Sequence, residues 1–275
     1  MNKLALKLKK SWILLLVFVL VFAGIKSIQA QEKRIQFVIH TPLGDMKGEL
    51  FNETPMHRNN FVKLTNEAWF ENSFFHRVIK NFMIQGGQNA DGREDAGYTV
   101  PAEFVPEIHV HQKGMLAAAR ESDQENPTKA SSAAQFYIVQ GKVMTLGQLE
   151  AIEQKINAKH KQKAIENYIL FPGNEKWLYK IDTLMKAKDV EGLKASQIDV
   201  YKEMLANGEA PAEFHYNEKQ KEIYTSIGGT PHLDGAYTVY GRITEGLDVL
   251  DKIAATPVAG SRPIEKVRMK IEIID

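Results

Sequence analysis

Arg77 and Gln85 both stand inside apolar sequence, in the stretch Phe74–Gln88 that reads FFHRVIKNFMIQGGQ. A guanidinium in such surroundings either pairs with a carboxylate and is structural, or keeps its donors for a ligand. Other chemistries have weaker support. His109 and His111 alternate at strand spacing and point to one side, as two metal ligands would. Neither they nor His57 and His76 show a recognisable ligand spacing, so the pair reads as surface residues and a metal hydrolase is the remote alternative. Gly86, Gly87 and Gly92 are glycine-rich, but no glycine–lysine–hydroxyl sequence follows and no helix opens there, so this is no phosphate loop. The chain has no cysteine, which excludes thiol nucleophiles, disulfides and cysteine-ligated metal. A formal charge of +1 over 275 residues leaves no nucleic-acid footprint.

The elements that must hold these residues follow from periodicity. Glycines and β-favouring residues predict two short strands across a turn at Lys80-Asn81. Upstream, Ile35, Phe37 and Ile39 share one face, Pro42–Asp45 turns the chain, and Met46, Gly48 and Leu50 continue on a return strand. Thr54-Pro55 predicts a helix start with a hydroxyl cap and proline in the first turn, with Met56, Phe61 and Leu64 as its core residues. Gln88–Pro106 reads as loop, Gly114–Arg120 and Gln135–Val139 as strands, and Glu121–Ser132 as the polar loop between them. After Gly141 the alternation stops. From Lys142 to about Gly228 the composition turns to Lys, Glu, Gln, Leu and Ile. There Leu146, Leu149, Ile152 and Ile156 recur at helical spacing, behind a capping box of Thr145 and Gln148. Pro172-Gly173 breaks the pattern, and further helices are predicted near Asn174–Lys186, Asp189–Leu205 and Asn217–Ser226. Tyr237–Gly241 reads as a strand, Gly246–Ala254 as a short amphipathic helix, and Val267, Met269, Ile271 and Ile273 alternate through a last strand.

FHRVIKNFMIQGG closely resembles the signature of the cyclophilins, the peptidyl-prolyl cis/trans isomerases. Ala133–Val139 (AAQFYIV) and Thr230–Gly241 (TPHLDGAYTVYG) resemble two further segments of that family, in the same order. The resemblance stops at Gly141 and resumes at Gly229. It implies a mainly β protein: a closed eight-stranded antiparallel barrel capped by two helices, formed by residues 31–141 and 229–275. Residues 142–228 are then an α-helical insertion in a surface loop, where long insertions cost little closure entropy.

The resemblance also implies an activity, isomerisation of Xaa-Pro bonds in unfolded or flexible polypeptides, with no cofactor. Arg77 is implied as the catalytic donor, with Gln85 binding substrate backbone and orienting it. Phe82, Met83, Tyr137 and Leu233 are implied to grip the proline ring, and Ala119, Arg120 and Gln135 to line the groove beside it. His232 stands where many members carry the tryptophan that helps bind cyclosporin, which implies weak inhibition by that drug. Tyr237 takes a pocket-edge position often held by histidine. Gln88 replaces an acid, Arg120 an asparagine, and Tyr137 a phenylalanine, adding a hydroxyl to the proline pocket. His76 has no task in this chemistry and reads as a structural hydrogen-bonding residue. A chaperone or scaffold, in which the helical insertion binds clients and catalysis is incidental, is the competing expectation.

Residues 1–30 join a basic start (Lys3, Lys7, Lys9, Lys10) to an apolar run, Trp12–Ile25, ahead of Ala30. They read as a signal peptide cleaved near Gln31, or as an uncleaved membrane anchor through residues 12–25, because Ile28 is a poor residue for cleavage. Either way the folded part is expected outside the cytoplasm, in a periplasm, and the absence of cysteine suits an oxidising compartment.

Overall fold

The computed structural model describes residues 33–89, 92 and 96–274, so the expected leader at residues 1–30 lies outside the described residues. The first alternating segment is a hairpin of β1 (Gln36–Thr41) and β2 (Gly44–Leu50), in register from Gln36 opposite Glu49 to Thr41 opposite Gly44. Its inward side chains Phe37, Ile39, Met46 and Leu50 are fully buried.

Helix α1 (Pro55–Asn66) starts at the predicted proline but lacks the predicted hydroxyl cap. The Glu103 carboxylate caps it instead, accepting from the backbone N–H groups of Met56 and His57 at 3.1 and 2.9 Å. A carboxylate there satisfies orphan donors and also meets the positive end of the helix dipole. Phe61 and Leu64 are core residues as expected, but Met56 is 44% exposed and His57 takes the inward place. The helical period explains the change, since 57, 61 and 64 share a face that 56 misses by one residue.

The remaining strands are β3 (Ser73–Phe74), β4 (Arg77–Ile79), β5 (Met83–Gly86), β6 (Thr99–Val100), β7 (Met115–Ala118), β8 (Ser131–Ser132), β9 (Phe136–Val139), β10 (Val239–Glu245), β11 (Val258–Ala259), β12 (Arg262–Pro263) and β13 (Arg268–Ile274). Together with β1 and β2, seven of them form one nine-stranded antiparallel sheet in the order β3-β13-β1-β2-β10-β7-β9-β5-β4. This corrects the closed eight-stranded barrel. The end strands β3 and β4 are consecutive in the chain and separated only by Phe75-His76. Phe75 N–H donates to Val267 O, on the β13 side, and His76 N–H donates to Gln85 O, on the β5 side. One segment thus changes partner half-way along, and the sheet curls into a nine-stranded half-barrel without a ladder between its ends. The concave side holds the main core, to which α1 contributes Phe61 and Leu64, and α6 (Leu247–Ala254) contributes Val249, Leu250, Ile253 and Ala254.

Between β9 and a 3-10 turn at Pro231–Leu233 lie α2 (Leu146–Leu170), α3 (Glu175–Ala187), α4 (Val190–Ala206) and α5 (Glu218–Ser226). The predicted capping box starts α2, with Gln148 N–H donating to Thr145 Oγ1 at 3.2 Å and Thr145 N–H donating to Gln148 Oε1 at 3.0 Å. The helices bury two apolar clusters. Leu149, Tyr216 and Tyr224 pack with Val110 beside the sheet, while Ile165, Trp177, Val200 and Met204 pack among the helices themselves. Gly229 N–H donates to Lys142 O at 3.1 Å, and Gly229 bridges both Lys142 and Gln112, so the chain leaves and re-enters the sheet at one point. Among the described residues no helix is long and apolar enough to cross a membrane.

Candidate active site

The two polar residues in apolar sequence are brought together by strand register. In the β4–β5 hairpin Arg77 lies opposite Gln85. Across the next strands Gln85 lies opposite Tyr137, Tyr137 opposite Ala117, and Ala117 opposite Val239. Directly opposed residues share a face, and this row looks away from the main core. Alternation therefore gives the same strands two jobs, with Ile84, Leu116 and Ile138 filling the core and their neighbours building a site.

Arg77 is exposed, and among the described residues no carboxylate lies within ion-pair distance of it. Its Nη1 donates to Gln85 Oε1 at 3.0 Å, and Gln85 Nε2 donates to Gln135 Oε1 at 2.8 Å. The amide of Gln85 is thus held at both ends and aims the guanidinium. Gly87 makes this possible: its φ is +110°, and a Cβ there would stand 2.1 Å from Ala134 O. Only glycine lets the end of β5 run so close to the segment carrying Gln135.

Beside the guanidinium is a cavity of about 130 Å³ lined by Arg77, Phe82, Met83, Gln85, Ala119, Arg120, Tyr137, Leu233 and Tyr237. Its apolar walls suit one small ring rather than a large ligand. It adjoins a wider polar recess of about 550 Å³, which shares Gln85, Ala119 and Arg120 and adds Gln135. Nine of the eleven residues expected at the site therefore line the small cavity, and Gln135 lines the recess. His232 lines neither; it is exposed, with its ring stacked on Phe82 at 5.7 Å.

The two arginines differ. Arg120 is spent on the protein, donating to Ala236 O, Glu121 O and Asp123 Oδ1 at 2.7–2.8 Å and lying 4.6 Å over the Tyr237 ring. Arg120 and Lys159 beside Asp123 hold its carboxyl down to about 2. Arg120 is thus a fixed wall, and Arg77 is the cation with donors to offer.

Beneath the cavity the structure overturns two expectations. The Tyr137 hydroxyl does not enter the pocket; it meets His111 Nε2 at 3.0 Å in buried surroundings. Burial, reinforced by Tyr237 and Asp234, pushes its pKa well above the usual value, so the hydroxyl stays a donor. His109 and His111 are not surface residues, being 7% and 1% exposed. His109 stacks on Phe51 at 3.7 Å and faces Glu53. His111 Nδ1 lies 2.9 Å from Asp234 Oδ1, which also accepts His111 N–H at 2.8 Å. An Nδ1–H bound to Asp234 leaves Nε2 as the acceptor for Tyr137. Sequence reasoning missed Asp234 and the buried His111. The available signal was Tyr137 itself, since a buried tyrosine hydroxyl requires a partner. His76 is half-buried and pairs through its backbone with Gln85.

Comparison with known proteins agrees with this geometry. The model of the family "Cyclophilin type peptidyl-prolyl cis-trans isomerase/CLD" matches residues 35–165 and 206–273, leaving only the middle of the helical stretch unmatched within its span. Peptidyl-prolyl cis-trans isomerase-like 3 of Dictyostelium discoideum is 33% identical over 125 residues, covering 44% of this chain and 74% of the relative. A Staphylococcus epidermidis protein assigned as a peptidyl-prolyl cis-trans isomerase is 28% identical over 253 residues, covering 90% of this chain and 94% of the relative. The crystal structure of a cyclophilin type isomerase from Cryptosporidium parvum superposes with a TM-score of 0.50 at 19% identity, covering 88% of this chain and 99% of that one, a likeness of fold. With that match running through every strand that carries the Arg77 row, the chain belongs to the cyclophilin-type peptidyl-prolyl cis-trans isomerases.

Proposed function

We propose that this isomerase acts on Xaa-Pro bonds of unfolded or flexible polypeptides exported from the cytoplasm and so assists their folding, with Arg77 as the donor to the imide nitrogen. The barrier to rotation is about 18–20 kcal/mol because the nitrogen lone pair is shared with the carbonyl. Half-way round that sharing is lost, and the nitrogen becomes pyramidal and basic. A donor aimed at it stabilises the twisted form more than either planar one, which is the condition for lowering a barrier. Rotation breaks no σ bond, so the reaction calls for no nucleophile and no proton transfer. Arginine suits the role because it is always charged, and its planar fork also reaches the neighbouring carbonyl. Phe82, Met83, Tyr137, Leu233 and Tyr237 hold the proline ring, while Ala119, Arg120 and Gln135 border the residues before it.

The observation that carries this reading is the Arg77 guanidinium, with no carboxylate among the described residues in ion-pair reach and aimed by Gln85 beside a ring-sized cavity walled in part by Phe82, Met83 and Leu233. Proline-limited refolding tests it. Arg77→Ala should lose about 10²-fold in catalysed rate, the usual cost of one preorganised donor; equal acceleration by variant and wild type would end the assignment. Export rests on residues 1–30 and is tested by N-terminal sequencing. A start near Gln31, or an intact chain in the membrane fraction, supports it, and an intact soluble cytoplasmic chain refutes it.

A second reading, client binding by the helices, is favoured by the exposed apolar side chains Leu170, Phe171, Leu178, Tyr179 and Met185 on and around α3. Phe171→Ser with Tyr179→Ser should then weaken suppression of client aggregation while peptide turnover stays intact. Unchanged suppression would count against it.

A further inference from the structure

We propose that the helical excursion is a positioning element of the isomerase pocket, acting through Tyr216 and Tyr224 on the turn that supplies Leu233 and, by way of Asp234 and His111, on Tyr137. The inference rests on the isomerase reading of that pocket.

Two buried tyrosines of the helical stretch reach the short turn Pro231–Leu233 from opposite sides of Leu233. Tyr216 donates to Pro231 O at 2.9 Å, and Tyr224 donates to Asp234 Oδ2 at 2.5 Å. Both hydroxyls lie in buried or part-buried surroundings, and burial pushes both pKa values above the tyrosine range, so both remain donors. The wall residue Leu233 is thus clamped between two hydrogen bonds, one from α5 and one from the segment just before it. Asp234 carries the clamp onward: its other oxygen binds both the backbone and the ring of His111, and the far side of that ring receives the Tyr137 hydroxyl. Four polar side chains, Tyr224, Asp234, His111 and Tyr137, run without a gap from α5 to the pocket wall. In low-dielectric surroundings such a chain is rigid when every member is satisfied and costly when one is removed. The backbone strengthens the link where the excursion begins and ends, since Thr230 N–H donates to His111 O and Gly229 N–H to Lys142 O.

None of Tyr216, Tyr224, Asp234 and His111 touches the cavity, so they act through Leu233 and Tyr137, which do. The two walls grip the proline ring in planar and twisted substrate alike. Loosening them removes uniform binding, which raises KM and leaves kcat nearly unchanged. This differs from the loss of Arg77, which acts on the twisted form.

The test is a kinetic cycle on the full chain with an Ala-Pro-containing peptide, using exchange measurements that give KM and kcat separately. Tyr224→Phe should raise KM about tenfold, the low end of the scale for one lost hydrogen bond to a charged group, with kcat within about twofold. In a Tyr137→Phe background the same substitution should raise KM by clearly less, because the branch to Tyr137 is already cut and only the clamp on Leu233 remains to be lost. An equal KM effect in both backgrounds, or a loss confined to kcat, overturns the proposal. Should Tyr224→Phe fail to fold, the wild type supplies the answer. Saturating peptide should shift the ring nitrogens of His111 and the ring carbons of Tyr224 in NMR spectra, and shifts confined to the cavity residues overturn it. Failure of the relay is distinct from failure of the isomerase reading, which would show as wild-type and Arg77→Ala proteins turning over the peptide equally.

Discussion

Gln85 offers the sharpest test of how the guanidinium is aimed. Gln85→Leu keeps nearly the same volume on β5 but removes the acceptor 3.0 Å from Arg77 Nη1 and the donor 2.8 Å from Gln135 Oε1. A hydrogen bond to a charged group is worth about 1.5–3 kcal/mol. Arg77 is exposed, so water replaces the lost acceptor and the lower end applies. About 1.5 kcal/mol corresponds to roughly tenfold in kcat/KM. The loss should fall on kcat, because the misaimed donor is needed only by the twisted imide. Peptide isomerisation followed by exchange NMR reads both constants, and thermal melts check that the fold is intact. The double variant with Arg77→Ala then separates two roles. If Gln85 works only through Arg77, the pair loses no more than Arg77→Ala alone. A further loss shows that Gln85 also holds substrate backbone directly. Unchanged turnover in Gln85→Leu would refute the aiming role.

Gly87→Ala should destabilise by more than about 1 kcal/mol, because it combines a left-handed φ with a contact to Ala134 O; the urea midpoint should fall with the slope unchanged, and an unshifted midpoint contradicts it. Burial, opposed by Glu53 and aided by Arg34 and Arg242, holds the His109 pKa below its ordinary value. The unfolded chain therefore takes up a proton first, and stability is lost as pH falls below about 6.5. His109→Gln should flatten that part of the stability profile between about pH 7 and 5, and identical slopes would exclude His109 as the source. His232 leaves no indole beside Phe82, so nanomolar cyclosporin should leave turnover untouched; tight inhibition would contradict the weak binding inferred from this position.

Which parts of this molecule were legible follows from where each side chain finds its partner. Arg77 and Gln85 were readable because their partners are local: the alternation and the turn at Lys80-Asn81 put them opposite each other in a hairpin. The capping box of α2 was readable for the same reason, with both members in one turn. The cap of α1 was not. Thr54 has the right residue type, but Glu103, distant in the chain, reaches the same N–H groups with a full charge and takes its place. Met56 and His57 show the limit of periodicity, since an error of one residue in helical phase exchanges core for solvent. The histidines failed on range as well. Two of them at alternate positions look alike as sequence, yet His109 is bound by Phe51 and Glu53, and His111 by Asp234 and Tyr137, all from distant segments. Sequence therefore shows that a polar group is buried well before it shows by what. Tyr137 is the instructive case: its place in an apolar strand already demanded an acceptor for its hydroxyl. Only the curled sheet, which draws residues 111, 137 and 234 to one spot, decides that the acceptor is an imidazole tied to the helical excursion rather than a group within the substrate pocket.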